Sequence, residues 1–203
     1  MYKRLGLDFF IQQNVAVLAS SLLGKVLCTK QKGLFTSAMI VETEAYQGPE
    51  DKGSHAFRNR RTQRTETMFN RGGFAYVYLC YGIHHLFNVV TGPEDVPHAV
   101  LIRAIQPIEG VELMMKRRKM LKILPKLTAG PGTLSQALGI TTAMTGTDML
   151  SPNSPVWIED RQYQIRPEQI MSGPRIGIDY AEDWIDRPLR FWIKDSIWVS
   201  RQR

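Results

Sequence analysis

Cysteine is nearly absent: only Cys28 and Cys80 occur among 203 residues, and no CxxC pair exists. Neither a disulfide framework nor a structural zinc is therefore expected, and the usage suits a reducing cytoplasm. No apolar run approaches the ~20 residues that a membrane-spanning helix needs. The start imitates a secretory leader, with Lys3 and Arg4 ahead of the apolar stretch 15–23, but Asp8, Gln12, Gln13 and Asn14 break that pattern. A cytosolic protein without a signal peptide is expected. HExxH and Cys/His metal spacings are missing, and the adjacent His84 and His85 would point to opposite faces of a strand, so no metal or other cofactor is expected. No GxSxG elbow is present to carry a serine triad. Repeats, low-complexity tracts and long linkers are also missing, which predicts one domain over residues 1–203.

Acidic residues are outnumbered, 19 against 26 basic, for a net charge of +7. Such an excess favours a polyanionic partner, and its distribution sharpens the point. One cluster holds Lys52, Arg58, Arg60, Arg61, Arg64 and Arg71 against only Asp51 and Glu66; a second holds Lys116, Arg117, Arg118, Lys119, Lys122 and Lys126 with no acid between them. Either cluster is also what a solvated face would look like.

Periodicity predicts a mixed α/β (α+β) chain dominated by strands in its middle. Asn14 can cap a helix over 15–23, with Gly24 as its stop. Strands are expected at 25–30, 34–46, 74–81, 86–91 and 99–105, the third of these bounded by Gly72–Gly73 and Gly82. Pro107 should open a helix over 108–119, since its acids come early and its bases late. A short helix is expected over 134–138 after Gly130–Gly132, and short strands near 156–159, 175–178 and 189–199.

In the strand 40–46, alternation puts Ile40, Glu42, Glu44 and Tyr46 on one side. Two carboxylates on one face of an apolar strand suit either a wet face or a functional one, where a half-buried carboxylate acts as a base toward water. They do not obviously flank a sugar from both sides, as a carbohydrate hydrolase requires. Tyr76 and Tyr78 share a face of the next aromatic strand, where Tyr76 reads as core. Tyr81, before Gly82, stands at a turn, and an exposed aromatic at a tip is a candidate wedge between base pairs.

These pieces resemble one family. The run from Val41 to Asp51 (VETEAYQGPED) followed by His55 is similar to the signature of the alkyladenine (3-methyladenine) DNA glycosylases of the mammalian type. So are Thr62-x-Arg64 with Met68-Phe69, Tyr76-Val77-Tyr78-x-x-Tyr81-Gly82 with Asn88, Val100 to Ala104, and Pro107-x-Glu109-Gly110. Further segments are Gly130-Pro131-Gly132-x-Leu134, Pro174 to Ile178 and Pro188 to Phe191, so the resemblance spans nearly the whole chain in order. The long N-terminal extension of the mammalian proteins is missing, which suggests a compact bacterial version.

The resemblance implies a single domain around a curved antiparallel sheet with peripheral helices, acting as a monomer on double-stranded DNA that contains damaged purines. It implies hydrolysis of the N-glycosidic bond, leaving an abasic site. Glu44 matches the general base and Arg103 the arginine beside it; Tyr46, His55 and Tyr78 match the pocket that sandwiches the extruded base. Tyr81 matches the residue inserted into the vacated stack. Asn88 matches the side chain that crowds guanine's exocyclic amine, and Arg60, Thr62 and Arg64 fall where the family approaches the DNA backbone. His84, His85 and the stretch 65–67 depart from the family pattern, which bears on fine substrate preference. Two other readings are a silent nucleic-acid-binding domain and a carbohydrate hydrolase using Glu42 and Glu44. The first does not explain Glu44, Arg103 and Asn88, and the second does not explain the basic surface.

Overall fold

A computed structural model describes residues 2–12 and 14–200. The chain opens with β1 (Lys3–Arg4), α1 (Leu7–Phe10) and α2 (Val15–Ser21). Asn14 caps α2 as its residue type predicts, its side chain accepting from the amides of Ala16 and Val17. A hairpin follows, β2 (Val26–Gln31) and β3 (Leu34–Gln47), and then a long irregular segment leads to β4 (Ala75–Cys80), β5 (His84–Thr91) and β6 (His98–Glu109). Helices α3 (Val111–Arg118) and α4 (Pro131–Leu138) precede β7 (Val156–Asp160), β8 (Ile170–Gly173) and β9 (Arg190–Ile193).

Among the described residues nine strands join one antiparallel sheet, seven of them in the order β1-β7-β2-β3-β6-β5-β4. The sheet forks at β3. Its first half pairs with β2 from Leu34 to Met39, and its second half pairs on that edge with β9, Glu42–Glu44 against Trp192–Arg190. β8 then extends β9. One face of the sheet carries the main core, in which Leu18, Ala19 and Leu22 near α2 and Leu134, Ala137 and Leu138 of α4 pack on Ala38, Ile40, Val41, Ala45, Phe87 and Ile102. On the other face a smaller cluster (Ala56, Met68, Phe69, Tyr76, Val90 and Ala99) sits under the irregular segment between β3 and β4.

Two bulges shape the centre of the sheet. Between Ile40 and Glu42 the register of β3 on β6 skips Val41; between Glu42 and Thr43 it skips Arg103. The first overturns simple alternation: Ile40 belongs to the main core with Val41 and Ala45, and does not share the side of Glu42, Glu44 and Tyr46. The second re-aims Arg103 at those carboxylates.

Other expectations need correction. Pro107 does not start a helix: β6 continues through it to Glu109, pairing Ala38 with Pro107 and Ser37 with Glu109. Proline is tolerated there because β5 has stopped pairing at Leu101, so no ladder donor is needed on that side. The helix begins only after Gly110, at φ 70°, where a β-carbon would lie 2.4 Å from the Phe35 carbonyl oxygen. The segment 175–178 is not a strand, and of 189–199 only Arg190–Ile193 is. In the second basic cluster Arg117 and Arg118 turn inward, donating to the carbonyls of Ala137, Leu127 and Lys126, which leaves the lysines as its exposed charges. Among the described residues no helix is long and apolar enough to cross a membrane.

Candidate active site

The second half of β3 places Glu42, Glu44 and Tyr46 beneath the fork of the sheet. Both carboxylates are completely buried, and buried charge persists only with close partners. Glu42 has all of its own: Nε of Arg190 at 2.6 Å, and the amide and hydroxyl of Ser200 at 2.7 Å each. Its oxygens are consumed by the C-terminal segment, so Glu42 serves as a structural counter-ion and is not free to act on a sugar.

Glu44 is held differently. The Tyr46 hydroxyl donates to Oε2 at 2.9 Å, the Ile176 amide to Oε1 at 2.8 Å, and Nη1 of Arg103 approaches Oε1 to 3.2 Å. Burial works against the charge on Arg103, but Glu44 and Glu42 outweigh it and raise its pKa. Its Nε lies 3.4 Å from Glu42 without hydrogen-bond geometry and finds no other acceptor among the described residues. Burial first, then the Glu44 carboxylate, also pushes the Tyr46 phenol well above its ordinary value, so that it remains a donor.

Tyr78 and Tyr76, on β4, continue this face. Burial, with Cys80, Tyr76 and Glu44 adding to it, raises the Tyr78 pKa. The His55 ring meets Tyr78 edge-on with centroids 4.5 Å apart. Its Nδ1 lies 2.9 Å from the Tyr76 hydroxyl, and its Nε2 lies 3.3 Å from Nη2 of Arg64. Arginine can only donate, so Nε2 accepts and the ring proton sits on Nδ1, donating to Tyr76. Burial, then Arg64 and Arg60, lowers the His55 pKa to about 4, which keeps the imidazole neutral at pH 7.

Asn88 stands directly across from Tyr76 on β5, buried, its amide donating to the carbonyls of Tyr76 and Leu86 at 3.1 and 3.3 Å. Glu44, Tyr46, Arg103, Tyr78, His55 and Asn88 thus converge on one face of the sheet. Tyr81 does not join them. It occupies the turn between β4 and β5 at φ 50°, beside Gly82 at φ 71°, and is 91% exposed. Positive φ at two successive turn residues matches the twist of a tight hairpin, and an aromatic held there projects from the molecule. Arg60, Thr62 and Arg64 are exposed and line, with His55 and Tyr180, a cavity of about 320 Å3. Arg64 also lies over Tyr78, 5.2 Å from the ring centroid.

Sequence reasoning assigned no role to Asp51, Arg175 or Ile176. The Asp51 carboxylate accepts from Gln47 and Gly53 amides and pairs with Arg175, both side chains being fully buried. Arg175 bonds the Ala45 carbonyl at 2.9 Å, and its guanidinium lies 4.6 Å from the Tyr46 ring centroid. The available signal was that Asp51 and Arg175 both lay in segments carrying the family resemblance. Among the described residues no three His, Cys, Asp or Glu side chains converge as a metal cage.

The family model described as methylpurine-DNA glycosylase matches residues 9–197. A protein of Chlamydia abortus named "Putative 3-methyladenine DNA glycosylase" is 50% identical over 186 residues, 91% of this chain and 95% of its own length. Proteins with the same name from Desulfitobacterium hafniense and Natranaerobius thermophilus are 45% and 43% identical, each over 98% of its own length and over 98% and 96% of this chain. With the match running through every element that builds the site, the chain belongs to the methylpurine-DNA glycosylase family.

Proposed function

We propose that this DNA repair glycosylase rotates an alkylated purine out of duplex DNA and hydrolyses its N-glycosidic bond with a water activated by Glu44. The observation that carries the reading is the buried Glu44 carboxylate, hydrogen-bonded to Tyr46 at the floor of an aromatic face. The C1′–N bond breaks with its electron pair going to the purine, water oxygen bonds to C1′, and the water proton passes to Glu44. The sugar develops oxocarbenium character, which the carboxylate stabilises. Arg103 orients that carboxylate. A purine cationic through alkylation leaves as a neutral base and needs no proton from the enzyme.

Tyr46, His55 and Tyr78 sandwich the extruded base, a cationic ring gaining roughly 0.5–2 kcal/mol from the aromatic faces. Rotation out of the stack costs a few kcal/mol. Tyr81 inserted into the gap offsets part of this, since base–aromatic stacking is worth roughly 1–3 kcal/mol. Asn88 disfavours unmodified guanine by crowding its exocyclic amine, a penalty that the weakened glycosidic bond of cationic 7-methylguanine offsets. Arg60, Thr62 and Arg64 hold the backbone, so affinity falls steeply with salt. The protein acts as a monomer on duplex DNA.

The direct test is base release across duplexes carrying 3-methyladenine, 7-methylguanine, hypoxanthine or an etheno-adduct. Release of a free alkylated base, leaving an abasic site without strand cleavage, is the expected result. Salt-sensitive binding without release would favour a silent DNA-binding domain.

A further inference from the structure

The Asp51–Arg175 pair is more elaborate than anchoring a loop requires. Its guanidinium lies over one face of Tyr46, a residue that is only partly buried. A β-carbon on Gly53 would come within 3.0 Å of Nη2 of Arg175 and 3.1 Å of Oδ1 of Asp51, so the fork is packed tightly against the loop that carries His55. Nη2 of Arg175 donates to Asp51 at 2.7 Å, yet among the described residues its buried Nε has no acceptor, so Asp51 leaves one donor of this cation uncompensated. Burial works against the charge on Arg175, and Asp51 outweighs it.

A cation on one face of an aromatic ring lowers the attraction of the opposite face for a second cation. We propose that Arg175 is a positioning residue that acts through Tyr46 to weaken the hold on a cationic base and to favour its departure with the bonding electron pair. The inference rests on the reading that Tyr46 stacks against the extruded base. While the C1′–N bond breaks, positive charge moves from an alkylated base to the sugar, so strong ring attraction for the cation would stabilise the ground state more than the transition state. Arg175 opposes that. It equally favours a neutral purine, which gains negative charge as it leaves. A base on the opposite face lies roughly 8 Å from the guanidinium carbon, and Asp51, bonded to both Nη atoms, cancels much of that field; at an effective dielectric of about 20 the remainder is worth about twofold in rate or affinity.

The test compares wild type with Arg175→Met/Asp51→Asn, which removes both charges together, and with Arg175→Gln, which can still donate to Ala45 and Asp51. Affinity is measured on duplexes bearing 2′-fluoro nucleotides of 7-methylguanine or hypoxanthine, which resist hydrolysis; the single-turnover rate is measured on 7-methylguanine. In the double variant, affinity for the 7-methylguanine duplex should rise about twofold relative to hypoxanthine while the maximal release rate falls about twofold; Arg175→Gln, which leaves the Asp51 charge uncancelled, should shift both in the same directions and further. Arg175→Lys, which keeps the charge, should restore the wild-type affinity ratio. A ratio unchanged in the neutral variants, or both affinities falling together as from a loosened pocket, would overturn the proposal. Tyr46→Leu separates the underlying reading: if it leaves both affinities untouched, Tyr46 does not stack on the base, whatever Arg175 does.

Discussion

The Tyr46 hydroxyl lies 2.9 Å from Oε2 of Glu44, so the ring assigned to base stacking is bonded to the carboxylate assigned to water activation. The two functions are therefore separable by mutation. Tyr46→Phe keeps the stacking surface and deletes the bond, and a hydrogen bond to a charged group is worth about 1.5–3 kcal/mol. Its single-turnover release rate should fall about tenfold with lesion affinity within about twofold of wild type. An equal loss in both would mean the hydroxyl serves only to hold the ring.

Glu44→Gln removes the base toward water while keeping the shape of the site. Positioned acid–base groups contribute about 10²–10⁴-fold, so release should drop by at least that range. Binding to lesion duplex, read by gel shift or anisotropy, should stay within a few-fold of wild type. Substantial residual turnover would remove Glu44 from its assigned role.

What could be read in the sequence follows from interaction range. Glu44 and Tyr46 were legible because strand alternation is local, and Tyr81 because an aromatic before Gly82 at a strand end marks a turn. Ile40 was misplaced because the bulge at Val41 is set by pairing with β6, which the local pattern does not record. Pro107 fits the first turn of a helix and an unpaired strand edge equally well, and only contact with Ala38 decides between them. Asp51 and Arg175 stand 124 residues apart; no periodicity links them. The Glu42 partners Arg190 and Ser200 are likewise brought in by the fork of the sheet, so strand alternation alone left Glu42 equivalent to Glu44 and only the family resemblance separated them.

Tyr81 touches little of its own protein, being 91% exposed at positive φ. Tyr81→Ser should consequently leave the unfolding free energy within about 0.5 kcal/mol of wild type. Its effect belongs to the DNA complex, where loss of the inserted ring removes roughly 1–3 kcal/mol of stacking and should slow release from every lesion by about tenfold or more. Differential scanning calorimetry and single-turnover kinetics on one preparation test both halves. Slowing confined to one lesion would argue for a base contact and against a wedge.

His55 makes stability depend on pH in a window fixed by its depressed pKa. The imidazole titrates near pH 4 in the folded protein, against 6.5 for the unfolded chain, because burial and then Arg64 and Arg60 oppose its charge. Between those values the unfolded state binds more protons, so stability rises with pH across the window. The contribution is fully present above pH 6.5, is lost as pH falls toward 4, and does not change further below that. The gap corresponds to about 3 kcal/mol at most. Urea unfolding at pH 7.5, 6, 5 and 4.5 should show wild type losing more stability than His55→Gln over that interval, although the variant starts lower because it lacks the bonds to Tyr76 and Arg64. Parallel pH dependences for the two proteins would place the proton uptake on other groups and leave the His55 ring free to charge within the pocket.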